Sequence, residues 1–170
     1  MKIYLDMDGV LADFERRYLE LFGERPADTR GKNKHFWKNW GTFVSGKNFE
    51  TLELHPNALE LIQHVESLNV PIEILSSSGG FESHEDVVDQ KLKWLSAQGI
   101  TYKPNIVPGS AIKARYAKPW HVLIDDTAKV IDKYREAGGP AIHHVRIEDT
   151  LEQLDTIYTA WKISNDKSQD

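Results

Sequence analysis

Five short apolar runs, each breaking off into polar residues, constrain this chain more than anything else in it. They are Lys2–Leu5, Pro71–Leu75, Asn105–Val107, Trp120–Ile124 and Ala141–His144. Each is too short for a helix and reads as a buried strand. Between them lie segments of helical period. Ala12–Phe22 carries Phe14, Tyr18, Leu21 and Phe22 near one face; 57–68 carries Leu59, Ile62 and Val65, with Asn57 as a candidate N-cap. Further helices are expected over Ser83–Gln98, Ser110–Ala117, Thr127–Ala137 and Asp149–Ile163, with a frayed tail after them. Strands alternating with helices predict an α/β fold: a parallel five-stranded sheet of Rossmann-like type with right-handed crossovers. Such sheets bind ligands outside the carboxyl ends of their strands.

One stretch breaks the alternation. Residues 25–46 are polar and basic, are interrupted by Pro26, Gly31, Gly41 and Gly46, and carry Phe36, Trp37, Trp40 and Phe43. We read a small, mostly helical cap over residues 16–55, inserted into a core domain of residues 1–15 and 56–170.

The strand ends hold the chemistry. Asp6 and Asp8 follow the first strand, and Gly9 permits a tight reversal after them. Paired carboxylates repel each other and call for a cation. One can act as nucleophile while the other moves a proton. Ser76-Ser-Ser-Gly-Gly80 follows the second strand and Asp125-Asp126 the fourth. Taken singly these are ordinary turn and cap residues; together they can converge on one site. Lys113 and Lys118 both precede the fourth strand.

Asp6-Met-Asp-Gly-Val10 resembles motif I (DxDGT/V) of the haloacid dehalogenase (HAD) superfamily. The longer run to Glu15 is similar to the opening of the 5′(3′)-deoxyribonucleotidases. Ser76, a lysine and Asp125-Asp126 follow in the order of motifs II to IV. The resemblance implies Asp6 as the nucleophile that becomes an aspartyl-phosphate and Asp8 as the acid and base. It implies phosphoryl contacts from Ser76, from the backbone N–H groups of Ser77 and Ser78, and from a lysine. Lys113 fits the motif III position better than Lys118. It further implies Mg²⁺ held by Asp6, the Asp8 carbonyl, Asp125 and Asp126.

The superfamily core gives chemistry, not substrate. Asn48-Phe-Glu-Thr-Leu-Glu53 is similar to the segment that closes the cap in deoxyribonucleotidases, and Phe14, Trp37 and Phe49 then correspond to walls of a base or sugar pocket. Two departures are visible: Ser76-Ser77-Ser78 stands where those enzymes usually carry Thr-Ser-Pro, and the insertion is shorter than in the vertebrate enzymes. The expected function is Mg²⁺-dependent hydrolysis of a small phosphomonoester, a (deoxy)nucleoside 5′-monophosphate first. Another phosphorylated metabolite or a nucleic-acid 3′-phosphate is the alternative, the latter favoured by the basic cast of Arg25, Arg30, Lys32, Lys34, Lys38 and Lys47. A nucleotide-binding module without turnover is a third reading. His143 and His144 could be metal ligands or surface residues near the site; adjoining none of the acidic motifs in sequence, they read as surface residues.

Composition narrows the field. The chain has 170 residues, a formal charge of −5 and no basic block, which argues against a dedicated nucleic-acid binder. It has no cysteine, so disulfides and thiolate metal sites are ruled out. Met1 leads directly into the first strand and no signal peptide or membrane span is visible, so a cytoplasmic location is expected. Oligomeric state is left open, a homodimer included.

Overall fold

A computed structural model describes residues 1–26 and 33–166. Arg30, Gly31 and Lys32 of the basic stretch, and residues 167–170 of the expected tail, lie outside the described residues.

Five strands, β1 (Lys2–Leu5), β2 (Ile72–Ser77), β3 (Lys103–Val107), β4 (His121–Asp125) and β5 (Ala141–His143), form one parallel sheet in the order β3-β2-β1-β4-β5. The chain runs from β1 out to β3 on one side, then returns across β1 to β4 and β5. The topological switch therefore falls at β1, where a ligand crevice is expected in open α/β sheets. Register sets what meets there. Leu5 pairs with Ile124 and with Ile74, so the residues just beyond, Asp6 and Asp125, leave the sheet side by side.

Side chains alternate between the two faces, as the pleat requires. Ile3, Leu5, Ile74, Val122, Ile124 and Ile142 join one buried cluster. It is covered by α3 (Ala58–Ser67), α4 (His84–Ala97) and α6 (Ile147–Asp166). Tyr4, Leu75, Leu123 and Ala141 join a second cluster beneath α5 (Ala128–Glu136) and a 3₁₀ segment, Ser110–Tyr116. Both faces are covered, as a parallel sheet needs.

The insert consists of α1 (Phe14–Phe22), α2 (Asn33–Ser45) and a 3₁₀ turn, Asn48–Thr51. Its two legs are stitched together at the neck. Asp13 N–H donates to the Glu53 carbonyl at 2.9 Å and His55 N–H to the Leu11 carbonyl at 2.8 Å. Above that neck, Phe14, Tyr18, Phe36, Phe43 and Phe49 belong to the same buried cluster as Ile3 and Leu5.

Several element ends differ from expectation. Helix α1 starts at Phe14, because the Asp13 carboxylate accepts the Arg16 N–H and caps it. Leu21 is exposed. Asn57 makes no capping bond with its side chain, and α3 buries Ala58, Leu61 and Val65 with Ile62 packed beside them, so of the expected stripe only Leu59 faces solvent. Residues 110–116 wind as 3₁₀ rather than α-helix, and α6 begins at Ile147 and continues to Asp166. Strand β2 runs two residues past Leu75, to Ser77. That last difference decides which serine faces which side of the sheet. Among the described residues no helix is long and apolar enough to cross a membrane.

Candidate active site

Asp6 ends β1 with its carboxylate held in place. Its Oδ1 accepts the Met7 N–H at 2.8 Å and lies 2.9 Å from Lys113 Nζ. Lys113 also donates to Asp125 Oδ2 at 2.7 Å, while Asp125 Oδ1 accepts the Thr127 N–H at 2.9 Å. The ammonium thus bridges the ends of β1 and β4, fully buried. Burial alone would lower the Lys113 pKa, but Asp6 and Asp125 outweigh it and raise it. Lys118 is exposed. For Asp125, loss of water and the Asp6 charge raise the carboxyl against the pull of Lys113.

Asp6, Asp125 and Asp126 each offer a carboxylate oxygen, and the three oxygens lie within 4.8 Å of one another. Hard oxygen donors at that spacing suit Mg²⁺. Asp126 is the outer member. Loss of water around its carboxyl, then repulsion from Asp6 and Asp125, push it up to about 7. Its seat depends on Gly9, which has φ +76° and where a Cβ would fall 2.2 Å from Asp126 Oδ2. Only a residue without a Cβ admits both that backbone and that carboxylate. His143 Nε2 pairs with the Asp126 carbonyl at 2.9 Å, and His144 Nδ1 with Thr150 Oγ1 at 2.8 Å. Neither histidine joins the acidic trio.

Asp8 turns the other way. Its Oδ2 accepts from Lys91 Nζ at 2.7 Å, and its Oδ1 is buried with no partner. Burial raises the Asp8 carboxyl; Lys91 opposes this and Asp6 reinforces it. A carboxyl kept above its usual range is suited to giving a proton at neutral pH. Lys91 is buried on α4 and also donates to Ser76 Oγ at 2.8 Å and the Ser77 carbonyl at 2.9 Å. Sequence reasoning missed it. The signal was there: Val87, Lys91, Trp94 and Leu95 share the buried stripe of α4, so Lys91 occupies a core position, unlike Lys93 beside it.

The extended β2 separates the serines by parity. Ser76 shares the face of Ile74 and is fully buried, its hydroxyl taken by Lys91, so it does not reach the cleft where it was expected. Ser77, on the face of Leu75, lines the cleft with Asp6, Asp8, Lys113 and Asp126. Its Oγ accepts the Gly79 N–H at 3.1 Å, leaving the hydroxyl hydrogen to donate elsewhere. The Ser78 N–H is committed to the Val107 carbonyl at 2.8 Å and is not a free donor.

The cleft has a volume of about 510 Å³ and continues from the carboxylates along Phe14, Phe36, Trp37 and Trp40 of the insert. Trp37 is half-exposed at the rim. Trp40 donates from Nε1 to Ser83 Oγ at 3.1 Å and packs against Gly79, where a Cβ would sit 2.4 Å from its ring. Phe49, expected on this wall, is instead buried behind Phe14. The two rings are parallel within 3° with centroids 5.8 Å apart, and Lys91 Nζ lies 5.1 Å from the Phe49 centroid. The 3₁₀ turn points Phe49 at α4, whereas Trp40 and Phe36 on α2 reach the opening.

Known structures share this architecture. A hydrolase from Streptococcus pneumoniae TIGR4 superposes with a TM-score of 0.53 at 15% identity, over 91% of this chain and 97% of its own. A second S. pneumoniae protein, a haloacid dehalogenase-like family hydrolase, gives 0.52 at 14% identity, over 89% of each chain. A HAD-superfamily hydrolase from Ehrlichia chaffeensis gives 0.52 at 13%, over 92% and 96%. No protein-family model matches the chain, and no curated protein matches it in sequence. At these identities the likeness is one of fold: the chain has the α/β fold of the HAD-superfamily hydrolases.

Proposed function

We propose that the chain is a Mg²⁺-dependent phosphomonoesterase that works through an aspartyl-phosphate, with nucleoside 5′-monophosphates as its first substrate class. One observation carries the reading: Asp6, Asp125 and Asp126 present oxygens within 4.8 Å of one another, with the Lys113 ammonium bridging two of them. Three carboxylates against one ammonium call for a divalent cation, which in this reading lets the site take a phosphoryl group beside Asp6. When bound at the trio, Mg²⁺ would neutralise charge on the phosphoryl oxygens.

The remaining chemistry belongs to the chain. Asp6 attacks phosphorus through its Oδ2, since Oδ1 is engaged by Lys113 and the Met7 N–H. The P–O bond to the leaving group breaks, and Asp8, its carboxyl raised by burial, gives that oxygen its proton. Asp8 then takes a proton from the water that attacks the acyl phosphate, which frees Asp6 and phosphate. Ser77 and Lys113 donate to the phosphoryl oxygens, where charge develops. Lys91 holds Asp8 in reach.

The nucleotide part rests on the aromatic wall. Phe14, Phe36, Trp37 and Trp40 offer ring faces beside the carboxylates, and bases stack on such faces. Phosphate release from deoxynucleoside and nucleoside 5′-monophosphates, with and without Mg²⁺, tests both levels. Mg²⁺-dependent release that disappears in Asp6→Asn is expected, with at least about a 10³-fold loss. Release from simple aryl phosphates alone would sink the nucleotide part, and release from no monoester would sink the whole.

A further inference from the structure

A second wall of the cleft comes from α5, and it is basic. Lys129 and Lys133 both line the cleft and lie one helical turn apart on one face of α5. Local preference is divided: Lys133 lies in the last turn of α5, which suits a cation, and Lys129 does not. Lys129 sits in the first turn, where the positive end of the helix dipole disfavours a cation. Lys129 and Lys133 repel each other at i,i+4 spacing. No ion pair joins either one to a carboxylate among the described residues, although Asp132 lies between them on the helix and Asp126 on the same cleft. The two buried lysines, Lys91 and Lys113, are by contrast both paired. The position of Lys129 and the like-charge spacing of the pair oppose local preference at a cleft wall, and such a choice marks a function.

The reacting phosphoryl group does not need these two ammonium groups, since Lys113, Ser77 and the acidic trio already surround its place. A cleft of 510 Å³ is sized for a whole small ligand, not a bare phosphate. We infer that the leaving group carries a second, dianionic phosphate bound by Lys129 and Lys133, so that the substrate class is a nucleoside bisphosphate. The bond broken is the same, and the aromatic residues of the insert take the base. This deepens the phosphomonoesterase reading and rests on it.

The test compares kcat/KM for thymidine 5′-monophosphate and thymidine 3′,5′-bisphosphate in the wild type, in Lys129→Gln/Lys133→Gln, and in Lys118→Gln as a control for general loss of charge. The expected result is a preference for the bisphosphate of about tenfold or more, falling close to parity in the double variant and persisting in the control. Parity in the wild type, or a preference that survives the double substitution, overturns the inference. So does a preference found only for a 5′-phosphorylated dinucleotide, whose second phosphate is a monoanionic diester within a strand. If neither ester is hydrolysed, the phosphatase reading falls, and calorimetric binding of the same two compounds decides the subsite. Tighter binding of the bisphosphate, lost in the double variant, keeps it; equal binding overturns it.

Discussion

Lys91 Nζ lies 2.7 Å from Asp8 Oδ2, and the two groups reach each other from opposite ends of the fold's logic: Asp8 from the loop after the central strand, Lys91 from the core stripe of a helix. Removing one partner of such a pair strands the other. Lys91→Met is therefore expected to cost about 3 kcal/mol of stability, and Asp8→Asn/Lys91→Met to recover part of it. Urea denaturation of the two single variants and the double gives the coupling directly. Additive losses would show that the pair contributes nothing.

Ser76 and Ser77 are neighbours in sequence and point to opposite faces of the sheet. Ser77→Ala should lower kcat/KM by about ten- to a hundredfold with little change in unfolding midpoint, since its hydroxyl faces the cleft. Ser76→Ala should do the reverse. It leaves Lys91 short of one acceptor and should cost about 1–2 kcal/mol. Paired melting curves and steady-state rates distinguish the two patterns, and the opposite assignment would mean that the strand ends at Leu75.

The Asp126 carboxyl is pushed up to about 7 by loss of water and by repulsion from Asp6 and Asp125. A proton on it competes with a cation at the trio. Mg²⁺ affinity should be steady above pH 7 and weaken by up to about tenfold per pH unit below it. Calorimetric Mg²⁺ titrations at pH 6, 7 and 8 check this. Asp126→Asn should flatten the profile, whereas a dependence retained in that variant would place the titrating group elsewhere.

His144 is buried, and its pKa is lowered to about 4 by loss of water and by His55 and His143. An unfolded histidine titrates near 6.5. Between those values the unfolded chain binds the proton and the folded one does not, so stability falls as pH drops from about 6.5 to about 4. The loss should be on the order of 3 kcal/mol. Chemical denaturation at pH 7 and pH 4.5, in the wild type and in His144→Gln, measures it. The variant should lose most of the His144 share of the acid sensitivity.

How much of this was legible in the sequence depended on which constraint each residue answers to. Asp6 and Asp125 follow apolar runs, and strand ends in a parallel sheet converge, so their meeting could be foreseen. Lys113 preceded β4 at a fitting distance. Lys91 could not be told from its neighbours by chemistry, since Asp89, Lys91 and Lys93 look like one charged helix face. Only the position of Val87 and Trp94 on the same stripe sets it apart. Both Ser76 and Ser77 were expected at the site; because β2 continues to Ser77, the pleat carries Ser76 to the face of Ile74 and leaves Ser77 at the cleft. Phe14 and Trp37 line the cleft as expected and Phe49 does not, because aromatic content shows that a cluster forms but not which ring faces outward.

The ties between α4 and the insert have a practical consequence. Gln90 binds the Phe49 N–H and the Val44 carbonyl, and Trp94 Nε1 donates to the Leu52 carbonyl at 2.7 Å. The returning leg of the insert is thereby riveted to the helix that also carries Lys91. A laboratory exchange of substrate preference by grafting should therefore take its donor segment from between Phe14 and Phe43. A graft that carried residues 44–52 along with it would unseat Lys91, and with it the Asp8 carboxylate it holds, together with the pocket.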